Sequence, residues 1–294
     1  MAEARGGLLI RVLVVGAGLM GAQIGCEYAL GGHDVTLAAR DLGRVRDRVD
    51  AALGTAQERA LVTADEAGAA RERIAITADY DTAGWDLVVE SVPEDLHLKA
   101  DVLRPIAGNS ESAMLASNAS SLSITALGEN VGAPERTLGT HYWNPPLLMP
   151  LVEVVPARAS QDVVDRVVTT LAALGKRPVL VERDVPGFIW NRLQFALLRE
   201  CVWLVENGVA TPETVDEVVR HGLARRWRHV GPFQAIALGG VDTWNRSGAN
   251  LVPELSTESR LPDLRTLAPQ NGSLEEVAAR RDQALARELL EERA

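Results

Sequence analysis

The sequence predicts an α/β protein: a doubly wound, mostly parallel sheet followed by an all-helical C-terminal domain. Two observations carry that prediction. Short β-branched runs that are apolar almost throughout alternate with longer segments of helical spacing, as expected of parallel strands covered on both faces. From Phe188 onward the strand signals stop and apolar residues recur only at helical spacing.

Taken in order, Leu8-Leu9-Ile10-Arg11-Val12-Leu13-Val14-Val15 predicts the first strand, and residues 34–38, 73–76, 86–90 and 113–116 predict the next four. Residues 41–73, rich in Ala, Arg and Glu, predict a helix or helical hairpin between the second and third strands. Strands are expected at 137–142 and 151–155, flanking the turn residues Asn144-Pro145-Pro146, and at 178–181 after a helix over 161–174. Helical spacing resumes over 188–206, and Thr211-Pro212-Glu213 opens another helix with Pro at its first position. Ser273 and Glu276 form a capping box ahead of a charged final helix reaching Ala294. The change of character at Asp184-Val185-Pro186-Gly187 divides a domain of residues 1–184 from a helical domain of residues 185–294.

Composition excludes several classes. With 294 residues, 47% hydrophobic and 24% charged, the chain is an ordinary globular one, long enough for two domains at roughly 150 residues each. Cys26 and Cys201 are too few and too scattered for a disulfide framework or a zinc site, so no metal is expected. A net charge of -10 opposes binding to nucleic acid or to an anionic membrane. The apolar run at 8–15 is too short to span a bilayer and lacks a cleavage site, and a cytoplasmic location is expected. Lys occurs only at Lys99 and Lys176 among 30 basic residues.

Gly16-Ala17-Gly18-Leu19-Met20-Gly21 follows the first strand directly and opens an apolar helix, the context in which GxGxxG marks a dinucleotide site. Gly16 permits the tight turn, Gly18 lets the backbone approach a diphosphate and Gly21 allows close packing of helix on strand, so the sheet is expected to be of Rossmann type. The ribose-reading position about 20 residues on reads Ala38-Ala39-Arg40-Asp41. A carboxylate at position 39 would select NAD. Ala39 with Arg40 leaves room and charge for the 2′-phosphate of NADP, while Asp41, one register on, could still take the ribose of NAD.

His141-Tyr142-Trp143-Asn144-Pro145-Pro146 ends one strand and Pro150-Leu151-Val152-Glu153 begins the next. Adjacent strands joined this way can bring His141 to Glu153, giving an imidazole whose basicity and tautomer a carboxylate holds. The chain also carries Val92-Pro93-Glu94-Asp95, Ser117-Asn118-Ala119-Ser120-Ser121 and Pro186-Gly187-Phe188-Ile189-Trp190-Asn191-Arg192. With these motifs, in order and at close to family spacing from about Ile10 to Gly240, the sequence resembles the 3-hydroxyacyl-CoA dehydrogenase family.

The resemblance implies an NAD(P)-dependent dehydrogenase that oxidises a 3-hydroxyl to the 3-keto product, with His141 as general base and Glu153 as its orienting partner. It places Ser120 and Asn191 at the reacting oxygen and the His, Asn144 in support of the His loop, and Glu94, Lys99 and Asn118 on the nicotinamide side. The plainer readings are Ser120 and Asn191 as helix caps and Lys99 as a solvated helix residue. His33, His97, His221 and His229 match no such role and are read as structural or surface residues.

Departures from the acyl-CoA pattern leave the substrate open. Met149-Pro150-Leu151 lacks the expected Lys, residues 41–73 hold no Lys for a CoA nucleotide, and no Gly-Lys-Lys closing motif is present. Gly187-Phe188-Ile189-Trp190-Asn191-Arg192-Leu193-Gln194 and Gly222-Leu223-Ala224-Arg225-Arg226-Trp227 are similar to the lambda-crystallin and L-gulonate 3-dehydrogenase branch. A 3-hydroxyacyl thioester and a free 3-hydroxy acid are both compatible with the sequence. A non-catalytic, crystallin-like dinucleotide-binding protein is the third class, opposed by the intact polar set. The resemblance also implies that the helical domain closes over substrate and forms a homodimer.

Overall fold

A computed structural model describes residues 9–267 and 274–293. Its sheet has eight strands: β1 (Arg11–Val15), β2 (Asp34–Ala38), β3 (Ile74–Thr77), β4 (Leu87–Glu90), β5 (Met114–Ser117), β6 (Thr137–Tyr142), β7 (Leu151–Val155) and β8 (Arg177–Leu180). The spatial order is β3-β2-β1-β4-β5-β6-β7-β8, and every neighbouring pair is parallel except β6 with β7. The chain winds outward from β1 to β3 and then returns to the other side of β1. The crevice where ligands bind in such sheets therefore opens at the carboxyl ends of β1 and β4.

The helices of this part are α1 (Leu19–Leu30), α2 (Leu42–Glu58), α3 (Ala64–Glu72), α4 (Leu96–Asn109), α5 (Ile124–Val131) and α6 (Gln161–Ala173). The helical hairpin expected in residues 41–73 is α2 with α3. Asp41 caps α2, and a Thr63/Glu66 capping box starts α3. Val12, Val14, Ile24, Leu37, Leu87 and Val89 are fully buried in one cluster on one face of the sheet, while Leu13, Val88, Leu103 and Leu115 form another. Burial on both faces is what the near-continuous apolar runs require.

Three boundaries differ from the sequence reading. Strand β1 begins at Arg11, with Leu9 exposed; Leu8 lies outside the described residues. The last strand, β8, is an edge, which accommodates Pro178, and Val181 is past its end. Helix α7 (Trp190–Glu206) begins two residues later than expected because Gly187 and Phe188 hold left-handed backbone (φ 78° and 48°).

Two compact units are present among the described residues. The first runs to Asn191 and includes the last helix from Glu275, and the second is Arg192–Leu274. The expected helical domain of residues 185–294 thus corresponds to a shorter second unit. It contains most of α7, then α8 (Pro212–Val218), α9 (Ala224–Trp227), α10 (Pro232–Gly239) and α11 (Val241–Leu251). Helix α12 (Leu274–Arg293) belongs, from Glu275, to the first unit: Arg59 donates to the Ala279 carbonyl, and Ala286 and Leu289 are buried. Its expected cap, Ser273, and its expected end, Ala294, lie outside the described residues. No helix among the described residues is long and apolar enough to cross a membrane.

Candidate active site

A cleft of about 930 Å³ occupies the β1/β4 crevice, lined by the glycine loop from Gly16 to Met20, by Ala39, Arg40 and Asp41 after β2, and by Glu94 and Asn118. The loop geometry agrees with the residue types. Gly16 has φ 93°, and a Cβ there would come within 2.7 Å of Ser91 and Val92 backbone. A Cβ on Gly21 would collide with the Gly16 carbonyl. Gly18, in contrast, meets no protein atom closer than 4.0 Å, so the space beside it is open to a ligand. Gly18 is also the N-cap of α1, with no side chain satisfying the first amides and no acidic residue in the first turn. Free amides, a helix N-terminus and an open cradle fit a diphosphate.

The antiparallel β6–β7 pair builds the second half of the site. Its register places His141 directly opposite Glu153, and Nδ1 of His141 lies 2.7 Å from Oε2 of Glu153. The other carboxylate oxygen accepts from the amides of Ile189 and Trp190, both at 2.9 Å, at the start of α7. Burial pushes the Glu153 carboxyl up, but the hydrogen bond from His141 and the two amides outweigh it and hold the group below the usual carboxylate range. An ionised Glu153 accepts the proton on Nδ1, so Nε2 carries the lone pair. Nε2 has no hydrogen-bond partner among the described residues. Phe188, 1% exposed, packs against the imidazole with ring centroids 5.6 Å apart.

Glu94 organises the serine loop after β5. Its Oε1 accepts from the amides of Ser120 and Ser121 at 2.8 and 2.7 Å and from the Ser121 hydroxyl at 3.0 Å, leaving the Ser120 hydroxyl a long 3.3 Å contact. Burial raises the Glu94 carboxyl, and these donors together with Lys99 bring it below its ordinary value. Asn191 donates to the Ser120 carbonyl at 2.9 Å, and Asn118 accepts from the Tyr142 amide and donates to Ser91. Ser120 is not a helix cap, since Ser123 caps α5. Asn144 is exposed and has no hydrogen-bond partner among the described residues.

Lys99 is neither solvated nor on the cleft wall. It is 1% exposed, and its ammonium binds Glu90 at 3.0 Å, the Val92 carbonyl at 3.0 Å and Glu94 at 3.4 Å. Glu90, which also accepts from the Ser117 hydroxyl at 2.6 Å, was read from the sequence only as the end of a strand. Burial raises its carboxyl despite Lys99. A carboxylate ending an apolar strand nine residues before one of two lysines was the available signal. Lys176 is built alike: it binds Glu27 at 2.9 Å and the carbonyls of Pro146 and Met149 at 2.7 and 3.1 Å. Each three-donor ammonium meets three acceptors, a fit for Lys rather than Arg. Also missed were the stacked Trp143 and Trp190 beside the His–Glu pair and Asp184, which accepts from Ser123 and Thr125. His33 is buried against Ile10, and His97, His221 and His229 are exposed. Among the described residues no cluster of His, Cys, Asp or Glu could hold a metal.

Fold and cleft together define a dinucleotide-dependent oxidoreductase. Residues 11–185 match the 3-hydroxyacyl-CoA dehydrogenase NAD binding domain, and residues 187–272 match the C-terminal domain of the same family. The 5-formyl-3-hydroxy-2-methylpyridine 4-carboxylate 5-dehydrogenase of Mesorhizobium japonicum is 35% identical over 262 residues, covering 85% of this chain and 82% of that protein. The L-carnitine dehydrogenase of Streptomyces griseus is 37% identical over 234 residues, 78% and 70% of the two chains. A crystal structure of a 5-dehydrogenase of the first kind, described as an NAD+ dependent dismutase, aligns with TM-score 0.82 at 28% identity over 95% of this chain and 97% of that one. The (S)-3-hydroxybutyryl-CoA dehydrogenase from Ralstonia eutropha aligns with TM-score 0.69 at 30% identity over 74% and 78%. The chain belongs to the 3-hydroxyacyl-CoA dehydrogenase family, which includes related 3-hydroxy acid dehydrogenases, and it is an NAD(P)-dependent dehydrogenase.

Proposed function

We propose that the protein oxidises the hydroxyl β to a carboxyl carbon, reversibly, with His141 as general base. The observation that carries this reading is the buried His141–Glu153 pair with a free Nε2, in the same unit as the dinucleotide cleft. Nε2 takes the hydroxyl proton, Glu153 stabilises the imidazolium through Nδ1, and in reverse the imidazolium protonates the ketone. Ser120, only loosely tied to Glu94, can turn its hydroxyl to the reacting oxygen, and Asn191 holds the Ser120 loop from behind. The glycine loop and α1 hold the diphosphate, with Glu94 and Asn118 at the nicotinamide end. The bound dinucleotide supplies the hydride acceptor.

Both a 3-hydroxyacyl thioester and a free 3-hydroxy acid fit this reaction centre. We favour the free acid: the 5-dehydrogenase, whose named substrate is a free acid with no CoA, aligns over nearly the whole chain with TM-score 0.82, against 0.69 over 74% for the hydroxybutyryl-CoA enzyme. Rates with L-3-hydroxybutyryl-CoA, free L-3-hydroxybutyrate and L-gulonate, with NAD and NADP both supplied, test it; turnover of the thioester alone refutes the free-acid reading. Replacing His141 by Ala is expected to lower kcat by about 10²–10⁴-fold while leaving dinucleotide affinity within about twofold; surviving activity removes His141 from its role. The second unit supports a homodimer, since Phe233, Leu238, Val241 and Val252 are 85%, 78%, 56% and 64% exposed. A monomeric mass by sedimentation overturns that assembly. The role of this unit in closing over substrate and a cytoplasmic location remain part of the same reading.

A further inference from the structure

Resting on the dehydrogenase reading, we propose that the cleft is built for the 2′-phosphorylated dinucleotide, NADP, with Arg40 and Arg44 as the phosphate clamp. The position that reads the adenosine ribose follows β2. There Ala38 is buried and Ala39 half-buried, and neither can hydrogen-bond a 2′-hydroxyl through its side chain. The nearest carboxylate, Asp41, is drawn back toward the helix: its Oδ1 accepts from the Arg44 amide at 3.0 Å as the N-cap of α2. Glu94, the other acidic group of the cleft, is held by Ser120, Ser121 and Lys99.

Three cations face the same space. Arg40 precedes α2, and Arg44 and Arg48 lie one turn apart along it, so all three line the cleft. Arg48 donates to the Ala17 carbonyl at 3.2 Å and thereby braces the glycine loop. Arg40 and Arg44 are exposed, and neither pairs with a carboxylate among the described residues. Two unpaired guanidiniums beside an alanine-ended strand, in a chain of net charge -10, are the groups that recognise a phosphate dianion by bidentate hydrogen bonds. Adenosine ribose without that phosphate leaves both cations unmatched.

The test is equilibrium titration of the purified protein with NADPH and NADH by nicotinamide fluorescence, without substrate. NADPH is expected to bind at least tenfold more tightly. Arg40→Ser with Arg44→Ser should cost NADPH at least tenfold while changing NADH less than threefold, and Ala39→Asp should reverse the preference by adding the missing carboxylate. Equal or tighter binding of NADH by the unaltered protein overturns the proposal and leaves the dehydrogenase reading standing. Absence of binding to either dinucleotide refutes that reading itself. A matched loss of both affinities in the Arg variant also overturns the clamp, because the arginines then serve the shared diphosphate.

Discussion

Glu153→Gln is the substitution whose outcome the geometry determines most sharply. Glu153 receives protons on both sides: from His141 on Oε2 and from the Ile189 and Trp190 amides on Oε1. A glutamine can keep its carbonyl oxygen toward the two amides, but its NH₂ then faces Nδ1 and donates to it. That forces the proton of the neutral imidazole onto Nε2, the atom that must act as base. To restore the productive tautomer the amide must flip, which points NH₂ at two backbone donors and leaves both unmade. At about 1–3 kcal/mol for each unsatisfied group, the cost is about 2–6 kcal/mol, or about 30- to 10⁴-fold in kcat. The assay is single-turnover reduction of the nicotinamide at saturating cofactor, with the dinucleotide Kd measured alongside and expected to be unchanged within about twofold. If Glu153→Gln retains more than a third of kcat, the carboxylate does not select the tautomer and the proposed role of the pair is wrong.

Other consequences concern stability and binding. Lys176→Met leaves Glu27 buried without its cation and should cost about 3–5 kcal/mol, whereas adding Glu27→Leu should recover part of that loss in urea unfolding; strictly additive costs would show that the pair is not coupled. Asp184 is raised by burial and lowered further by Thr125 and Ser123, so its folded carboxyl lies below its ordinary 3.8. A depressed carboxyl contributes stability above its unfolded value that disappears as pH falls through the folded value, so Asp184→Asn should flatten the acid limb of the stability curve below about pH 4; an unchanged limb would exclude Asp184 as a source of acid sensitivity. Gly16→Ala combines a left-handed φ with contact against Ser91 and Val92 backbone, and dinucleotide affinity should fall at least about tenfold; unaltered affinity would mean that the loop does not form the cradle. Because both lysines are buried, a succinimidyl ester should leave Lys99 and Lys176 unlabelled in the native protein by peptide mapping, and rapid labelling of either would contradict its three-acceptor cage.

Much of the molecule follows from local pattern. Apolar runs of four to six residues spaced by helices required a two-faced parallel sheet, and the strand–glycine–helix order of residues 11–30 located the dinucleotide cleft, because both depend on interactions within a few residues. The approach of His141 to Glu153 was legible too, since the turn residues Asn144-Pro145-Pro146 join adjacent strands, and the structure adds that the pair is antiparallel and in direct register.

Only the tertiary structure decided the matters that join distant residues. The start of α7 at Trp190 depends on a carboxylate 37 residues earlier, and no local capping signal records it. Lys99 and Lys176 have the composition of solvated residues, yet each closes a cage of acceptors drawn from three chain positions, which side-chain type alone cannot reveal. Asp41 at the ribose end reads in sequence as a cofactor ligand, and the fold also makes its Oδ1 the cap of α2, while Arg40 and Arg44 line the cleft without a carboxylate partner among the described residues. Spacing along the chain sets which elements form. Which polar groups remain unsatisfied, and so available for chemistry, is set by packing between segments far apart in sequence.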